Sequence, residues 1–445
     1  MLWNKDMETL SRADLRGLQV KRLQETVARV YEHVPFYRET LARAGVSPVS
    51  IRDLEDLRRL PFTRKSDFRD QYPWGLLAVP MQEVIRIHAS SGTTGRPIFV
   101  AYTRNDVAGW AELCARCLAS AGARPGDVFH NAYGYGLFTG GLGFHYGAEL
   151  MGLPVVPVSG GNTERQILLL QDLRPRVIAC TPSYALTLAE VIAAKGISPA
   201  SLGLRCALLG AEPWSEGMRQ EIEQKFGMDA INIYGLSEVV GPGVSCECVE
   251  AKAGLHVYED HFLPEVVDPA TGEPLPVGEE GELVFTTLTK EALPVLRYRT
   301  GDLASLDPTP CACGRTSVRM SRIKGRADDM LVIRGVNVFP SQVEAALVGL
   351  PDLAPHYHLV VTREGTLDAL EVQIELSEGF VKHAGGAIGH DPAVWPEDVK
   401  ALHARLLRTL KSALGLTVTV TLLAPGQAPR SEGGKLKRVT DRRRL

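Results

Sequence analysis

Short apolar runs alternate with stretches of helical periodicity through the middle of the chain. The runs cover residues 155–158, 177–180, 206–209 and 230–234 and have the length of buried strands. Between them, the segment 184–194 carries apolar residues at the spacing of a helix. This alternation of β and α predicts a mainly parallel, doubly wound sheet. Ligands of such sheets bind beyond the carboxyl ends of the strands.

The flanking regions follow other patterns. Residues 8 to about 60 are predicted to be largely helical, because apolar residues recur three and four positions apart at Leu23, Val27, Val30 and Val34. Residues 257–305 are predicted to be β-rich, with strands at 265–268, 281–287 and 295–302. Charge and glycine over 324–329 indicate an exposed linker. A small unit follows, with a helix at 343–348, strands at 356–361, 369–376 and 417–422, a surface loop at 379–392 and a helix after Pro396.

These patterns together predict an α/β fold in two domains. The large N-terminal domain, residues 1–327, has doubly wound mixed sheets and a β-rich subdomain at about 245–320, and a small α+β domain occupies residues 328–445. A chain of 445 residues is too long for one compact core, which agrees with this division.

Composition and charge exclude several classes of protein. The chain is 45% hydrophobic and 23% charged, as soluble globular proteins are, and its net charge of -3 gives no basic footprint for nucleic acid. The first residues form no apolar signal core, and no run of about 18 apolar residues occurs. We therefore expect a cytoplasmic protein without nucleic-acid or membrane partners.

The segment from Ser90 to Arg96 has a composition suited to phosphate. Its residues Ser90, Ser91, Gly92, Thr93, Thr94, Gly95 and Arg96 bring four hydroxyls, two glycines and one permanent cation into seven positions. Strand-like segments at 84–88 and 98–102 flank it, so the loop is predicted to join two strands. A Walker-type loop instead leads into a helix and carries Lys before Ser or Thr, which disfavours a phosphotransferase of that kind. An ordinary polar turn is the alternative on composition alone.

Two predicted strands end in polar, glycine-containing segments, 210–213 and 234–238. In the second, Glu238 beside Ser237 offers a carboxylate and a hydroxyl that can hold hydrated Mg²⁺ against phosphates, or it is a surface acid in a turn. Asp302 follows Gly301 on a predicted turn, where a carboxylate can accept both hydroxyls of a ribose. A further segment, 131–141, mixes glycines with aromatic residues and suits either an apolar pocket or a tightly packed core.

Taken in order, five motifs resemble those of the adenylate-forming enzymes, the superfamily of the acyl-CoA synthetases. They lie at 90–97, 234–238, 298–302, 325–329 and 433–435. The segments 135–141, 234–243, 259–262 and 334–340 are similar, more narrowly, to the phenylacetate-CoA ligase family, and the resemblance covers almost the whole chain.

The resemblance implies an AMP-forming acid–thiol ligase that uses ATP, Mg²⁺ and coenzyme A. The carboxylate of an aromatic acid first attacks the α-phosphate of ATP, and the thiol of CoA then displaces AMP from the acyl-adenylate. The carboxylate is already ionised at neutral pH, so the first step needs charge neutralisation and in-line positioning more than a general base. A homodimer and a C-terminal domain that is mobile between the half-reactions are also implied.

Residue roles follow from the same resemblance, position by position. The implied catalytic residues are Lys435, with Lys437 as a weaker candidate, Glu238 as the Mg²⁺ ligand, and Arg326. The implied nucleotide- and CoA-binding residues are Ser90 to Arg96, Gly210, Ala211, Glu212, Pro213, Tyr234, Gly235, Ser237, Asp302, Gly335 and Asn337. The implied acid pocket contains Tyr135, Phe138 and Gly140, and Asp328 is the implied hinge. The chain departs from the family pattern at Arg96, where Lys is frequent, and at the two glycines before Lys435.

Eight cysteines include two Cys-x-Cys pairs, at 246–248 and 311–313, with His256 between them. Thiolates and imidazole are zinc ligands, so these residues predict a structural zinc site assembled from two distant segments, with unliganded thiols as the alternative. A zinc-bearing branch of the family uses one cysteine of the first pair. By that resemblance the ligands are Cys248, His256, Cys311 and Cys313, and Cys246 is left over.

Other functions stay open on the sequence alone. The acyl group could pass to a carrier-protein thiol or an amine, or the fold could serve as a binding module without catalysis. The presence of Glu238, Asp302 and Lys435 argues against the second of these. Phenylacetate, a hydroxylated relative, benzoate and indole-3-acetate are all compatible acids, with phenylacetate favoured by the resemblance.

Overall fold

A nine-stranded mixed sheet is the largest sheet of the protein. The computed structural model describes residues 1–90, 97–326, 331–334, 336–364, 367–385, 394–430 and 438–443. Internal contacts divide the chain into two units, one of residues 1–180, 198–211 and 227–323, and one of residues 181–197, 212–226 and 324–445. The domain boundary at 327/328 stays a prediction.

The helices in chain order are α1 Lys5–Glu8, α2 Arg12–His33, α3 Pro35–Arg43, α4 Lys65–Asp70, α5 Arg104–Ser120, α6 Thr139–Met151, α7 Thr163–Leu173, α8 Pro182–Ala194, α9 Pro199–Leu202, α10 Glu216–Phe226, α11 Pro340–Leu347, α12 Glu378–His383 and α13 Glu397–Leu414. Short 3₁₀ turns lie at Pro48–Ser50, Leu54–Arg59 and Met81–Glu83. The predicted helical N-terminal region is therefore present, with its interruption near residue 48.

The strands in chain order are β1 Arg86–Ser90, β2 Ile98–Tyr102, β3 Phe129–Asn131, β4 Val155–Val156, β5 Val177–Cys180, β6 Cys206–Leu209, β7 Asp229–Leu236, β8 Gly241–Cys246, β9 Leu255–Val257, β10 Phe262–Val267, β11 Gly281–Thr287, β12 Tyr298–Ala304, β13 Leu306–Asp307, β14 Arg319–Met320, β15 Gly325–Arg326, β16 Leu331–Ile333, β17 Val336–Val338, β18 Leu353–Glu364, β19 Leu367–Leu376, β20 Thr419–Leu423 and β21 Val439–Asp441.

The nine-stranded sheet has the order β13-β14-β9-β8-β7-β6-β5-β3-β4. Strands β4, β3, β5, β6 and β7 are parallel, and antiparallel pairs join β7, β8, β9, β14 and β13 in that order. All four residues of β5 and of β6 are buried, as expected for continuous apolar strands covered on both faces. Together with the smaller sheets of both units, this confirms the predicted fold class.

Strands β1 and β2 form a hairpin on either side of the predicted phosphate-binding loop, residues 90–96, hereafter the phosphate-type loop. The two strands are antiparallel, and Ser90 lies opposite Ile98 where the loop begins and ends. His88 and Ala89 are buried, whereas Ile85 and Ile87 are 46% and 41% exposed. The predicted strand–loop–strand context is therefore present, with the isoleucine face of the hairpin outward.

Strands β10, β11 and β12 form an antiparallel sheet in the predicted β-rich region. In the second unit, β20-β19-β18-β21 form a mixed sheet in that order. Helix α13 belongs to the core of that unit through Val399, Leu402, Leu406, Leu410 and Leu414, which are all buried. The amphipathic pattern after Pro396 predicted this helix correctly.

Several local predictions were wrong. Gly325 is buried and begins β15, where an exposed linker was expected, and an added Cβ there would lie 2.6 Å from the ring of Phe339. Residues 378–383 form α12 within the expected surface loop, and Ser377 caps its first turn by accepting from the backbone N–H of Phe380. Cys246 lies at the end of β8. In the described part of the chain, no helix is long and apolar enough to cross a membrane.

Candidate active site

The hydroxyl of Tyr234 donates a 2.7 Å hydrogen bond to Oδ2 of Asp302. Tyr234 lies near the end of β7 and Asp302 near the middle of β12, so this bond joins the large sheet to the β-rich sheet. The Tyr234 ring stacks against Phe285 with ring centroids 6.1 Å apart, and the backbone N–H of Asp302 donates to Oγ1 of Thr300. Two predicted nucleotide-binding residues are therefore in direct contact and are held by their own neighbours.

Glu238 follows β7 and is buried, with 6% of its surface exposed. Next to it, the Ser237 hydroxyl lies 3.3 Å from Oγ1 of Thr139 at the start of α6. The chain turns tightly here, because a Cβ on Gly235 would lie 1.9 Å from the carbonyl oxygen of Gly241. The segment thus presents a carboxylate and hydroxyls at the carboxyl end of a parallel strand, where oxygen ligands for Mg²⁺ are expected.

The segment 210–213 leaves the end of β6 in an unusual conformation. A Cβ on Gly210 would lie 2.5 Å from the carbonyl oxygen of Ile233 on β7, and Ala211 has a positive φ of 71°. Glu212 accepts a 2.7 Å hydrogen bond from the backbone N–H of Ser183 at the start of α8, and Pro213 is exposed. Gly210 and Ala211 therefore bring backbone close to β7, while the Glu212 carboxylate is engaged with α8.

Aromatic residues and glycines pack together at the start of α6. Asn131 donates from Nδ2 to the hydroxyl of Tyr135 and to the carbonyl of Gly141, both at 2.8 Å. A Cβ on Gly140 would lie 2.4 Å from Cε1 of Phe138, so the ring of Phe138 rests directly on this glycine. Burial raises the pKa of Tyr135 to about 12, with the Asn131 hydrogen bond opposing that rise, so its hydroxyl stays neutral. The structure thus brings together all three residues of the predicted acid pocket.

The phosphate-type loop begins beside this pocket. The backbone N–H of Ala89 donates to the carbonyl of Leu137 at 2.9 Å, and Nδ1 of His88 lies 3.1 Å from the same oxygen. Ser90 follows directly, and its buried hydroxyl has no hydrogen-bond partner within the described residues. The end of β1, where the predicted loop begins, therefore contacts the segment that carries Phe138.

A lysine that no sequence motif singled out lies close to these groups. Lys290 is 6% exposed, and its Nζ lies 3.9 Å from the centroid of the Tyr102 ring. Burial lowers the pKa of Lys290 to about 8, and the charges of Asp106 and Glu238 oppose that fall. A single lysine in a β-rich segment carries no distinguishing sequence signal, so the sequence did not predict a role for Lys290.

The four predicted zinc ligands Cys248, His256, Cys311 and Cys313 come together in space. One ligand atom from each lies within 4.8 Å of the others. The Sγ atoms of Cys248 and Cys311 are 3.7 Å apart, and Sγ of Cys313 is 3.4 Å from Nε2 of His256. The hydrogen bond with the Cys248 thiol, and then that with His256, lower the pKa of Cys313.

The elements around the cysteine cluster fix its ligands. His256 lies on β9 between β8 and β14, and its Nδ1 is 3.3 Å from the Ser317 hydroxyl, which leaves Nε2 to face the sulfurs. Cys246 is fully buried beside the carbonyls of Cys117 and Glu247 and lies outside the group. Cys246 is thus separate from the cluster of Cys248, Cys311 and Cys313.

The other predicted residues lie in the second unit or outside the described residues. Arg326 is half-buried on β15, and Asn337 lies on β17 opposite Val332. Ser91, Gly92, Thr93, Thr94, Gly95, Arg96, Asp328, Gly335, Lys435 and Lys437 lie outside the described residues.

Comparison with known proteins identifies the family. The AMP-binding enzyme family matches residues 38–288, and the AMP-binding enzyme C-terminal domain matches residues 335–443. The chain is 60% identical over 445 residues to phenylacetate-coenzyme A ligase of Thermus thermophilus, covering 100% of both chains. The chain belongs to the AMP-binding enzyme family. This confirms the resemblance seen in the motifs and the class of enzyme, an acid–thiol ligase.

Two further relatives of this AMP-binding enzyme agree. Phenylacetate-coenzyme A ligase of Escherichia coli is 50% identical over 440 residues, covering 99% of this chain and 97% of that one. A crystal structure of 2-hydroxyisobutyryl-CoA ligase, in the postadenylation state with an AMP adduct, has a TM-score of 0.91 and 30% identity. It covers 99% of this chain and 92% of the ligase chain, which confirms the predicted fold along the whole length.

Proposed function

We propose that this AMP-binding enzyme ligates an aryl or arylalkyl carboxylic acid, phenylacetate first among them, to coenzyme A through an acyl-adenylate. The full-length identity of 60% to a phenylacetate-coenzyme A ligase carries this proposal. The contact between Tyr234 and Asp302 and the burial of Glu238 support it, because these residues match the nucleotide-binding motifs of the family.

In the first half-reaction a carboxylate oxygen of the acid attacks the α-phosphorus of ATP, and pyrophosphate leaves. Asp302 accepts the ribose hydroxyls, and Tyr234 keeps its carboxylate oriented through the 2.7 Å hydrogen bond. Ser90 begins the loop that would take the β- and γ-phosphates. Because both reactants are anions, the site accelerates the step by fixed donors and cations rather than by proton transfer.

Glu238 is the group that we propose to hold Mg²⁺. Glu238 is buried, and the residue before it, Ser237, has its hydroxyl 3.3 Å from that of Thr139, so this segment carries the kind of oxygen ligands that Mg²⁺ prefers. When bound, the ion would neutralise charge on the phosphates of ATP.

In the second half-reaction the thiolate of CoA attacks the acyl carbonyl carbon. The bond between that carbon and the phosphate oxygen breaks, and AMP leaves with its electron pair. We assign Lys435 and Arg326 to the adenylation step, Asp328 to the hinge, and Gly335 and Asn337 to CoA. These assignments rest on the family motifs alone.

The acid would lie against Tyr135, Phe138 and Gly140. Phe138 rests on Gly140, so the ring position is set by the absence of a Cβ there. Aromatic faces and edges suit a phenyl group, and the neutral Tyr135 hydroxyl avoids repulsion of the substrate carboxylate.

We further propose that Cys248, His256, Cys311 and Cys313 hold a structural Zn²⁺. Zinc bonds of about 2.3 Å to sulfur and about 2.0–2.1 Å to nitrogen give tetrahedral edges of about 3.8 Å between sulfurs and about 3.6 Å between sulfur and nitrogen. The separations of 3.7 Å and 3.4 Å fit those edges. The Ser317 hydroxyl beside Nδ1 of His256 orients the ring as the partner of a ligating histidine does.

The zinc site would stabilise the N-terminal segment as well as its own loop. Arg315 follows the ligands Cys311 and Cys313 and donates from Nε to Glu8 at 2.6 Å, with both side chains 1% exposed. Arg315 also donates to the carbonyl of Met1. We include a homodimer and a cytoplasmic location in the proposal on the family resemblance, and light scattering after size exclusion tests the dimer.

The test of the ligase is AMP formation by the purified enzyme with Mg-ATP, with and without CoA. The panel contains phenylacetate, a hydroxylated phenylacetate, benzoate, indole-3-acetate and an aliphatic acid. We expect catalytic AMP formation that requires CoA and is fastest with phenylacetate. Turnover that ignores CoA would indicate another acyl acceptor, and no acid-dependent turnover would exclude the ligase.

A further inference from the structure

The backbone around Lys290 is fixed from several directions. The N–H groups of Glu291 and Ala292 donate to the two carboxylate oxygens of Asp106 at 2.7 and 2.9 Å. The Glu291 carboxylate accepts from the Thr103 hydroxyl at 2.8 Å and from Nδ2 of Asn105 at 3.1 Å. The start of α5 thus anchors this loop, and the direction of the Lys290 side chain is set by it.

The Lys290 side chain points into a buried aromatic cluster. Its ammonium group lies over the Tyr102 ring, and Tyr102 stacks on Trp110 with ring centroids 5.0 Å apart. His88 meets both rings edge to face at 5.6 Å. The Lys290 Nζ itself is buried and has no hydrogen-bond partner among the residues that the structure describes.

The same aromatic cluster holds the segment that carries Glu238. The Tyr102 hydroxyl donates to the carbonyl of Val240 at 3.0 Å, and Nε1 of Trp110 donates to the carbonyl of Pro242 at 2.7 Å. Lys290 lies over Tyr102, and Glu238 is close in sequence to Val240 and Pro242. The aromatic cluster of Tyr102, Trp110 and His88 therefore contacts both the lysine and the segment that carries Glu238.

Burying an ammonium group without a hydrogen-bonded partner destabilises the fold. A cation–π contact with Tyr102 offsets only part of that cost. Asp106 already accepts three backbone N–H groups, those of Thr103, Glu291 and Ala292. Glu238 is the other carboxylate whose charge acts on Lys290. A buried, costly charge that interacts electrostatically with a carboxylate proposed to bind Mg²⁺ is the pattern expected where stability is exchanged for activity.

We propose that Lys290 is a positioning residue for the adenylation step, a fixed internal cation that balances Glu238 and attracts the polyphosphate of the incoming nucleoside triphosphate. This inference rests on the proposed nucleotide site. The charge of Lys290 favours the binding of an anionic polyphosphate at the end of β1, where His88 and Ser90 lie. The second half-reaction expels AMP rather than pyrophosphate, so it needs this cation much less.

The test compares Lys290→Met, which keeps the volume of the side chain and removes its charge, with Lys290→Arg and with the exposed control Lys21→Met. Pyrophosphate release with phenylacetate reports adenylation, and thioester formation from supplied phenylacetyl-adenylate and CoA reports the second half-reaction. We expect Lys290→Met to raise the KM for Mg-ATP about tenfold and to leave the second half-reaction within about twofold. Lys290→Arg should recover most of the loss, and Lys21→Met should behave as the unaltered enzyme.

Two outcomes would overturn the inference. One is a KM for Mg-ATP in Lys290→Met within about twofold of the unaltered enzyme. The other is an equal slowing of both half-reactions, which a general disturbance of packing would produce. Glu238→Gln separates this inference from the proposed function: if that variant keeps its Mg²⁺ dependence, the assignment of Glu238 fails, whereas the Mg-ATP result for Lys290 still decides the role of the lysine.

Discussion

The hydroxyl of Tyr234 and the carboxylate of Asp302 are 2.7 Å apart, although the two residues are 68 positions apart in the chain. One lies near the end of a strand of the large sheet and the other on a strand of the β-rich sheet. Their hydrogen bond fixes the orientation of the carboxylate proposed to accept the ribose hydroxyls. The proposed recognition of the ribose depends on that orientation.

Tyr234→Phe should weaken ATP binding more than it slows turnover. A hydrogen bond to a charged group contributes about 1.5–3 kcal/mol, and part of that is needed to hold Asp302 ready for ATP. We expect the KM for ATP to rise about 5- to 20-fold with a smaller change in kcat. Tyr37→Phe is a matched control, because its buried hydroxyl contacts Thr63 instead. Equal kinetics for the two variants would contradict the role of the Tyr234–Asp302 bond.

Gly140→Ala should impair use of the acid and spare use of ATP. The new Cβ would lie 2.4 Å from the Phe138 ring, so the ring must move from its place in the proposed pocket. We expect the KM for phenylacetate to rise about 3- to 10-fold, a cost of about 1 kcal/mol in packing. Gly134→Ala is the control, since nothing lies within 4 Å of its added Cβ. A change in the KM for ATP without a change in the KM for phenylacetate would contradict the assignment of Phe138 to the acid pocket.

Cys311→Ser should remove the metal, and Cys246→Ser should not. Metal analysis of the purified protein is expected to give about one zinc per chain in the unaltered protein and in Cys246→Ser, because four ligands suffice without Cys246. Loss of zinc should lower the unfolding midpoint by about 5–10 °C and expose the N-terminal segment held by Arg315 to protease. Metal-free protein that keeps its midpoint would refute a structural zinc.

Lys290→Met should make the protein more stable near neutral pH. The unfolded chain keeps the Lys290 proton up to a pKa of about 10.4, whereas burial in the folded protein lowers that pKa to about 8. Between these values the unfolded state binds more protons, so the free energy of unfolding rises with pH, and below pH 8 the full cost of burying the charge is present.

The gain from Lys290→Met should therefore be constant below about pH 8, on the order of 1–3 kcal/mol, and fade as the pH approaches about 10. Urea unfolding of both proteins from about pH 6 to about pH 10 measures it, and other titrating groups cancel in the difference. A difference that does not change with pH would show that packing, and not charge, sets the effect.

Strong local patterns predicted much of the fold. The apolar runs at 177–180 and 206–209 are β5 and β6, and Thr103 caps α5 by accepting from the backbone N–H of Asp106. Strand β21 was missed because its three residues include Thr440 and Asp441, and only pairing with β18 makes them a strand. Its existence depends on a partner that is distant in sequence.

The candidate site was predictable where residue types are diagnostic. The two Cys-x-Cys pairs and His256 predicted a zinc site by their chemistry, the choice of Cys248 over Cys246 came from the family resemblance, and the fold brings the four chosen residues together. The proposed role of Lys290 was not predictable from the sequence. It depends on burial over the Tyr102 ring and on the electrostatic effect of Glu238, and only tertiary packing brings these groups near Lys290.

Transfer of oxygen from the acid to AMP tests the acyl-adenylate most directly. The enzyme would be supplied with phenylacetate carrying ¹⁸O in both carboxylate oxygens, Mg-ATP and CoA, and the products would be analysed by mass spectrometry. Because the carboxylate oxygen attacks the α-phosphorus and leaves with AMP, the account predicts one ¹⁸O in each AMP and none in pyrophosphate. Unlabelled AMP, or label in pyrophosphate or inorganic phosphate, would contradict it.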